Sequence, residues 1–151
     1  MPREQDFIRV LSVDDQQIAL LAIQEALSQE SDIHFCGCKE PALALQIAEE
    51  YNPSVVLLDL VMPVIDGLQL LGHFRANPRV CRVPIIILSS QDEPHIKAEA
   101  FSRGANDYLI KFPPPAELIS RIRFHAGNIS SQNYSTKTGQ PAKVVDFNNL
   151  N

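Results

Sequence analysis

The chain predicts an α/β fold in which a parallel sheet carries helices on both faces. Three observations lead there. Short apolar runs alternate strictly with segments of helical periodicity, five times over, and such alternation implies a parallel sheet with crossover helices. The run Val55-Val56-Leu57-Leu58 is apolar at every position, as a strand buried on both faces must be. Most of the runs then close on polar or charged residues, at the sheet edge where open α/β folds build their sites.

Taken in order, residues 7–13 form the first strand, which closes on Asp14-Asp15. In residues 16–29, Leu20, Ile23 and Leu27 recur at helical spacing. Residues 33–38 make a second, shorter strand with Cys36 and Cys38 on one face, Phe35 and Gly37 on the other. Pro41 suits the first turn of a helix to residue 51, with Leu43, Ile47 and Ala48 inward, and Asn52-Pro53 ends it. The central strand, 54–58, closes on Asp59. After Met62-Pro63, the stretch Val64-Ile65-Asp66-Gly67 signals a turn without a chemical role, followed by a helix to residue 76 carrying Leu68, Leu71 and Phe74. Residues 84–90 are a fourth strand closing on Ser89-Ser90, and a helix over 94–103 stops at Gly104. Residues 107–111 are the fifth strand and end on Lys111; a last helix, with Leu118, Ile119 and Ile122 inward, reaches residue 126. The expected division is a folded domain over 1–126 and a polar linker or tail over 127–151, where Ser, Asn, Thr, Gln and Gly dominate.

Bulk properties narrow the function classes. The 151 residues suffice for one domain with a complete core. A net charge of −5 without a basic cluster argues against nucleic acid as a direct partner of this segment. No apolar run is long enough for a membrane span, and the polar start is unlike a signal peptide, so a soluble, cytoplasmic protein is expected. The three cysteines, Cys36, Cys38 and Cys81, have neither disulfide-framework nor metal-ligand spacing. His34, His73, His95 and His125 lack ligand spacing too, and are expected to be structural or exposed.

Right-handed crossovers bring every strand's C-terminal end to one edge. Asp14 and Asp15, Asp59, Ser89 and Lys111 therefore meet there. Three carboxylates repel, and a divalent cation that seeks oxygen ligands is the natural remedy; Mg²⁺ keeps several waters, so two carboxylates and a carbonyl would suffice. Lysine binds phosphate as a point charge and a serine hydroxyl can hydrogen-bond a phosphoryl oxygen. An aspartate can act as nucleophile in phosphoryl transfer, and Asp59, alone on the central strand, is the candidate. Its surroundings are expected to keep the carboxylate ionised.

These residues, Val13-Asp14-Asp15, Leu57-Leu58-Asp59, Met62-Pro63 with Asp66-Gly67, Ser89, and Tyr108 three residues before Lys111, resemble the receiver domains of two-component response regulators, the CheY-like superfamily. The resemblance implies a flavodoxin-like (βα)5 fold with strand order 2-1-3-4-5. It also implies phosphorylation of Asp59 by a histidine kinase or phosphotransfer protein. Asp15, Asp59 and the Val61 carbonyl would bind Mg²⁺, with Asp14 helping through water. Ser89 would be the switch hydroxyl and Tyr108 the switch aromatic. Lys111 would contact the phosphoryl group and pair with Asp59 in its absence. The face made by the fourth helix, fifth strand and fifth helix would then signal to an output domain or effector, and the family admits a phosphorylation-dependent homodimer. No enzymatic turnover beyond self-phosphorylation and slow autodephosphorylation is implied.

Receivers usually carry proline directly after the lysine, whereas this chain has Lys111-Phe112-Pro113. A cis bond before Phe112 would cost about 3–4 kcal/mol, which makes Phe112–Pro113 the cheaper cis bond. The Lys-x-Pro order and Asp92-Glu93-Pro94 also resemble receivers fused to diguanylate cyclases. Two rival functions follow: a receiver-shaped interaction module that takes no phosphate, and the regulatory fragment of a longer diguanylate cyclase.

Overall fold

The computed structural model describes residues 7–133, with side chains through residue 127. The elements are β1 (Ile8–Val13), α1 (Gln17–Leu27), β2 (Ile33–Cys38), a 3₁₀ turn (Pro41–Leu43) leading into α2 (Ala44–Tyr51), β3 (Val55–Leu58), α3 (Gly67–Ala76), β4 (Ile85–Ser89), α4 (Pro94–Ser102), β5 (Asp107–Ile110) and α5 (Pro115–Asn133). All four strand pairings are parallel, in the order β2-β1-β3-β4-β5. This is the flavodoxin-like topology expected from the sequence.

Two apolar clusters cover the two faces of the sheet. Ile23 and Leu27 of α1 and Leu118 and Ile122 of α5 pack with Val10, Val55, Leu57, Ile86, Leu88 and Leu109. Ala44, Ala48 and Tyr51 of α2, Leu70, Leu71 and Phe74 of α3 and Ala100 of α4 pack against Leu11, Val13, Val56, Leu58, Ile85 and Ile87. Strand neighbours thus alternate between clusters, as the two-residue period of a strand requires. Cys36 and Cys38 share one cluster while Phe35 packs against the other. Burial pushes the Cys38 thiol up to about 11, so it behaves as a small apolar side chain.

Three expectations need correction. Leu43, placed inward by helical periodicity, is exposed. The chain over Pro41–Leu43 is a 3₁₀ turn, whose three-residue period shifts the phase, and Ala44, Ala48 and Tyr51 become the inward residues. The last helix continues past residue 126 to Asn133. No proline interrupts 127–133, and a helix already anchored by Leu118 and Ile122 extends at little cost. The rest of the expected tail, 134–151, lies outside the described residues. Finally, the cis bond is Lys111–Phe112, not Phe112–Pro113. Local cost alone favours a cis bond before Pro113, while the end of β5 is placed by its neighbours: the Lys111 N–H donates to Ser89 O at 2.9 Å.

Two polar groups, half-buried Arg75 and buried Asp107, tie the layers together. Arg75 of α3 donates to Gly104 O (2.9 Å), Cys81 O (3.1 Å), Val83 O (2.7 Å) and Asn106 Oδ1 (2.8 Å). It thereby joins α3 to the segments entering β4 and β5. Gly104 has φ +109, and a Cβ there would stand 2.9 Å from the Arg75 side chain. Asp107 opens β5 and accepts from Arg121 Nη1 at 2.9 Å, with His125 Nε2 at 3.0 Å. Burial would raise the Asp107 pKa, but hydrogen bonds from His125, the Tyr108 N–H and Arg121 hold it below the ordinary carboxylate value.

Loss of the Arg75 hydrogen bonds leaves three carbonyls without their donor, so Arg75→Ala should lower unfolding free energy by about 2–4 kcal/mol, measured by urea titration. For Asp107, a folded-state pKa below the unfolded one adds stability that is complete above the unfolded pKa and is lost as pH falls through the folded one. The advantage of wild type over Asp107→Asn should therefore be full at neutral pH. It should shrink on acidification below the carboxylate range of about pH 4.

Candidate functional site

The ladder hydrogen bonds of the sheet run one residue beyond several strands. Asp14 N–H donates to Cys38 O at 3.1 Å, Asp59 N–H to Val13 O at 3.1 Å, and Lys111 N–H to Ser89 O at 2.9 Å. The backbones of these residues are therefore held by the sheet itself. Three of the side chains meet: Lys111 Nζ lies 2.6 Å from Asp14 Oδ2 and 3.4 Å from Asp59 Oδ2. The lysine side chain is only 10% exposed, which makes this a nearly buried triad of charges. The shorter contact is to Asp14, whereas the resemblance pointed to Asp59.

The remaining carboxylate oxygens are distributed unevenly. Asp14 Oδ1 accepts from Gln16 N–H at 3.0 Å, and Asp59 Oδ1 from Val61 N–H at 3.3 Å. Asp15 Oδ1 is buried and has no hydrogen-bond partner among the described residues. Ligand atoms of Asp14, Asp15 and Asp59 all lie within 4.8 Å of one another. A buried carboxylate oxygen left unpaired is costly, and three oxygens so close suit a hard divalent cation such as Mg²⁺.

The expectation that Asp59 stays ionised meets a different environment here. Burial and the neighbouring Asp14 charge raise its pKa, against the opposing pull of Lys111 and the Val61 N–H. The lysine is shared between two carboxylates, so it cannot fully offset the loss of water around one of them. A divalent cation among the three carboxylates would act in the opposite direction.

Ser89 and Tyr108, the expected switch residues, lie on β4 and β5. Ser89 is fully buried, and its Oγ accepts from Gln91 N–H at 3.2 Å. Tyr108 is half-buried against the cluster beneath α4, and its hydroxyl donates to Gln91 O at 2.7 Å. Both are thus tied to the loop between β4 and α4. Val61 is half exposed. Phe112, the departure from the family pattern, is 56% exposed, with its ring centroid 5.9 Å from Lys111 Nζ. The histidines stay away from the site: His73 and His95 are exposed, His34 stacks on Phe7 and His125 serves Asp107.

Gly67 has more to do than form a turn. A Cβ at this position would stand 2.4 Å from both Asp59 O and Leu60 Cα, so the start of α3 presses on the backbone of the central carboxylate. Asp66 caps that helix by accepting from Leu68 N–H at 3.0 Å. Asp66-Gly67 signals a helix start in the sequence, but the close approach appears only once α3 is packed. Gln91 reads from the sequence as a loop residue or one that tunes access of water; here its backbone acts, the carbonyl accepting from Tyr108 and the N–H donating to Ser89 Oγ.

Residues 10–123 match the response regulator receiver domain family. The chain belongs to this family. Among curated relatives of the receiver, the transcriptional regulatory protein SrrA of Staphylococcus aureus is 29% identical over 142 residues. That match takes in 93% of this chain and 57% of SrrA, so the receiver spans little more than half the length of that relative. The receiver domain of Francisella response regulator 1452 superposes with a TM-score of 0.73 at 29% identity, covering 81% of this chain and 98% of that one. The BeF3-activated N-terminal receiver domain of Klebsiella pneumoniae RstA gives 0.71 at 28% identity, covering 78% and 97%.

Since Gly67→Ala forces a side chain into the Asp59–Leu60 backbone, it should cost about 1–3 kcal/mol by urea unfolding. Asp59 itself has the opposite sign. A carboxyl whose folded pKa is raised favours folding while protonated, and that advantage is lost as pH rises through the folded pKa. Without divalent cations, Asp59→Asn should be more stable than wild type at neutral pH, with the difference vanishing in acid, as followed by thermal melting.

Proposed function

We propose that the receiver takes a phosphoryl group onto Asp59 from a sensor histidine kinase or phosphotransfer protein and relays that state to an output domain or effector. The observation that carries this reading is the convergence of Asp14 and Asp59 on one nearly buried lysine, with Asp15 beside the two carboxylates and one of its oxygens left unpaired. Asp15, Asp59 and the Val61 carbonyl are the proposed Mg²⁺ ligands, with Asp14 beside them. Bound there, Mg²⁺ would offset the negative charge that gathers as a phosphoryl group approaches.

The chain's own residues supply positioning and charge neutralisation, the bulk of the work in phosphoryl transfer. An Asp59 carboxylate oxygen attacks phosphorus, and the bond from phosphorus to the donor nitrogen breaks, its electron pair leaving with the donor imidazole. Lys111 follows the charge from the carboxylates to the phosphoryl oxygens, and the buried Ser89 hydroxyl offers a further hydrogen bond. Tyr108 and the β4–α4 loop, already bonded through Gln91, would move as one unit when Ser89 is drawn in.

The output face would be α4, β5 and α5, where Phe101 and Ile110 stand exposed. SrrA bears the name of a transcriptional regulatory protein, and an output of that kind would lie in sequence beyond this receiver. A phosphorylation-dependent homodimer would use the same face. We assign 1–126 to the receiver domain and 127–151 to a polar linker or C-terminal tail, whose first residues continue α5. Among the described residues no helix is long and apolar enough to cross a membrane, in keeping with a cytoplasmic place for this exchange.

Incubation with acetyl phosphate and Mg²⁺ should add one phosphoryl group by intact mass, and none to Asp59→Asn. An unmodified wild type, or a modified Asn variant, would overturn the assignment in favour of an interaction module that takes no phosphate. Asp15→Asn should weaken Mg²⁺ binding about tenfold or more by calorimetry.

A further inference from the structure

Around Tyr108 the structure carries a contact that the phosphoryl site does not require. The loop after β4 reads Gln91-Asp92-Glu93-Pro94, and Pro94 occupies the first turn of α4. Lys97 falls in that turn, its N–H bonded to Glu93 O at 3.2 Å. Its ammonium pairs with Asp92 and lies 5.8 Å from the centroid of the Tyr108 ring. The same ring is fixed at its tip by the 2.7 Å hydrogen bond from its hydroxyl to Gln91 O. The β4–α4 loop and the first turn of α4 thus both reach Tyr108, one by a carbonyl at the tip and the other by a cation near the ring.

We propose that Lys97 is a positioning residue for Tyr108: braced by Asp92, it holds the aromatic ring against the β4–α4 loop before any phosphoryl group arrives. The proposal rests on the reading of Tyr108 as the switch aromatic. Besides Gln91 O, which accepts from the phenol, the charged groups that act on it are Lys97, Glu93 and Asp92. Lys97 is the one cation in this set. Without it two carboxylates would confront the phenol and the electron-rich ring uncompensated. An ammonium within about 6 Å of an aromatic centroid is attracted to it. A contact made in only one of two ring positions shifts their populations by its own free energy. By reciprocity, it then also favours whatever ligand prefers that ring position. Lys97 would therefore set how much of this loop-bound ring position exists at rest.

Fluorine NMR on protein labelled with fluorotyrosine tests this, the Tyr108 resonance being assigned by Tyr108→Phe. Wild type, Lys97→Met and Lys97→Arg are compared with and without Mg²⁺ and beryllofluoride. Met preserves the stem and removes the charge; Arg preserves the charge. Expected is a wild-type resonance at rest already near its beryllofluoride position. Lys97→Met should displace it by a population change of about threefold or more, with beryllofluoride restoring it, while Lys97→Arg stays with wild type. A resting resonance in Lys97→Met that coincides with wild type would overturn the proposal, as would an Arg variant that follows Met. Unchanged thermal midpoints verify that the variants fold. If acetyl phosphate fails to modify wild-type Asp59, the phosphoacceptor reading falls, and the comparison of the three resting spectra still decides the Lys97 contact.

Discussion

Like charge gathered at one sheet edge is the constraint on which the rest of this molecule turns. A parallel sheet with right-handed crossovers delivers every strand's C-terminal end to the same place, so Asp14, Asp15 and Asp59 have no means of spreading apart. The ladder bonds that continue through Asp14, Asp59 and Lys111 hold their backbones as firmly as strand interiors. Repulsion must therefore be met by a counter-charge, and Lys111 meets part of it from β5. Its division between two carboxylates leaves Asp59 with a raised pKa and Asp15 with an unpaired oxygen. The site is thus built with a residual demand for positive charge, which is the property a phosphoryl-accepting metal site uses.

Rigid surroundings make that demand specific. Gly67 lets α3 lie directly on the Asp59–Leu60 backbone, Asp66 caps the helix at that point, and Arg75 fastens the other end of α3 to the entries of β4 and β5. The central carboxylate is consequently braced by its own strand and by the following helix. Across the site, Ser89 and Tyr108 are attached to a loop instead. Their partners are backbone groups of Gln91, and loops of this kind open at lower cost than packed strands. A braced carboxylate facing a loop would suit the proposed switch, because charge arriving at one could be relieved by motion of the other.

Much of this was legible in the linear chain for a simple reason. A central parallel strand is buried on both faces, so Val55 to Leu58 could only be apolar, and the first charge after them had to lie at the strand's end. The same reasoning located Asp14, Ser89 and Lys111. It failed where a neighbour distant in sequence determined the outcome. Leu43 kept helical spacing but fell in a 3₁₀ turn, and α5 ran on through residues of weak helical preference because its apolar anchor lay upstream. Gly67 read as part of a turn and Gln91 as a loop residue, one acting by having no side chain and the other through its backbone.

The sequence by itself determined the alternation of strand and helix, the edge on which the charges meet and the identity of the groups that meet there, since periodicity and handedness are local properties of the chain. Only the tertiary structure decided how those groups share one another: that Lys111 stands closer to Asp14 than to Asp59, that Asp59 is pushed toward its protonated form, and that the Tyr108 hydroxyl donates to Gln91 O with Lys97 near its ring. Such outcomes depend on separations of a few ångströms between residues far apart in the chain and on the water excluded around them. Burial and Coulomb energies vary steeply over those distances.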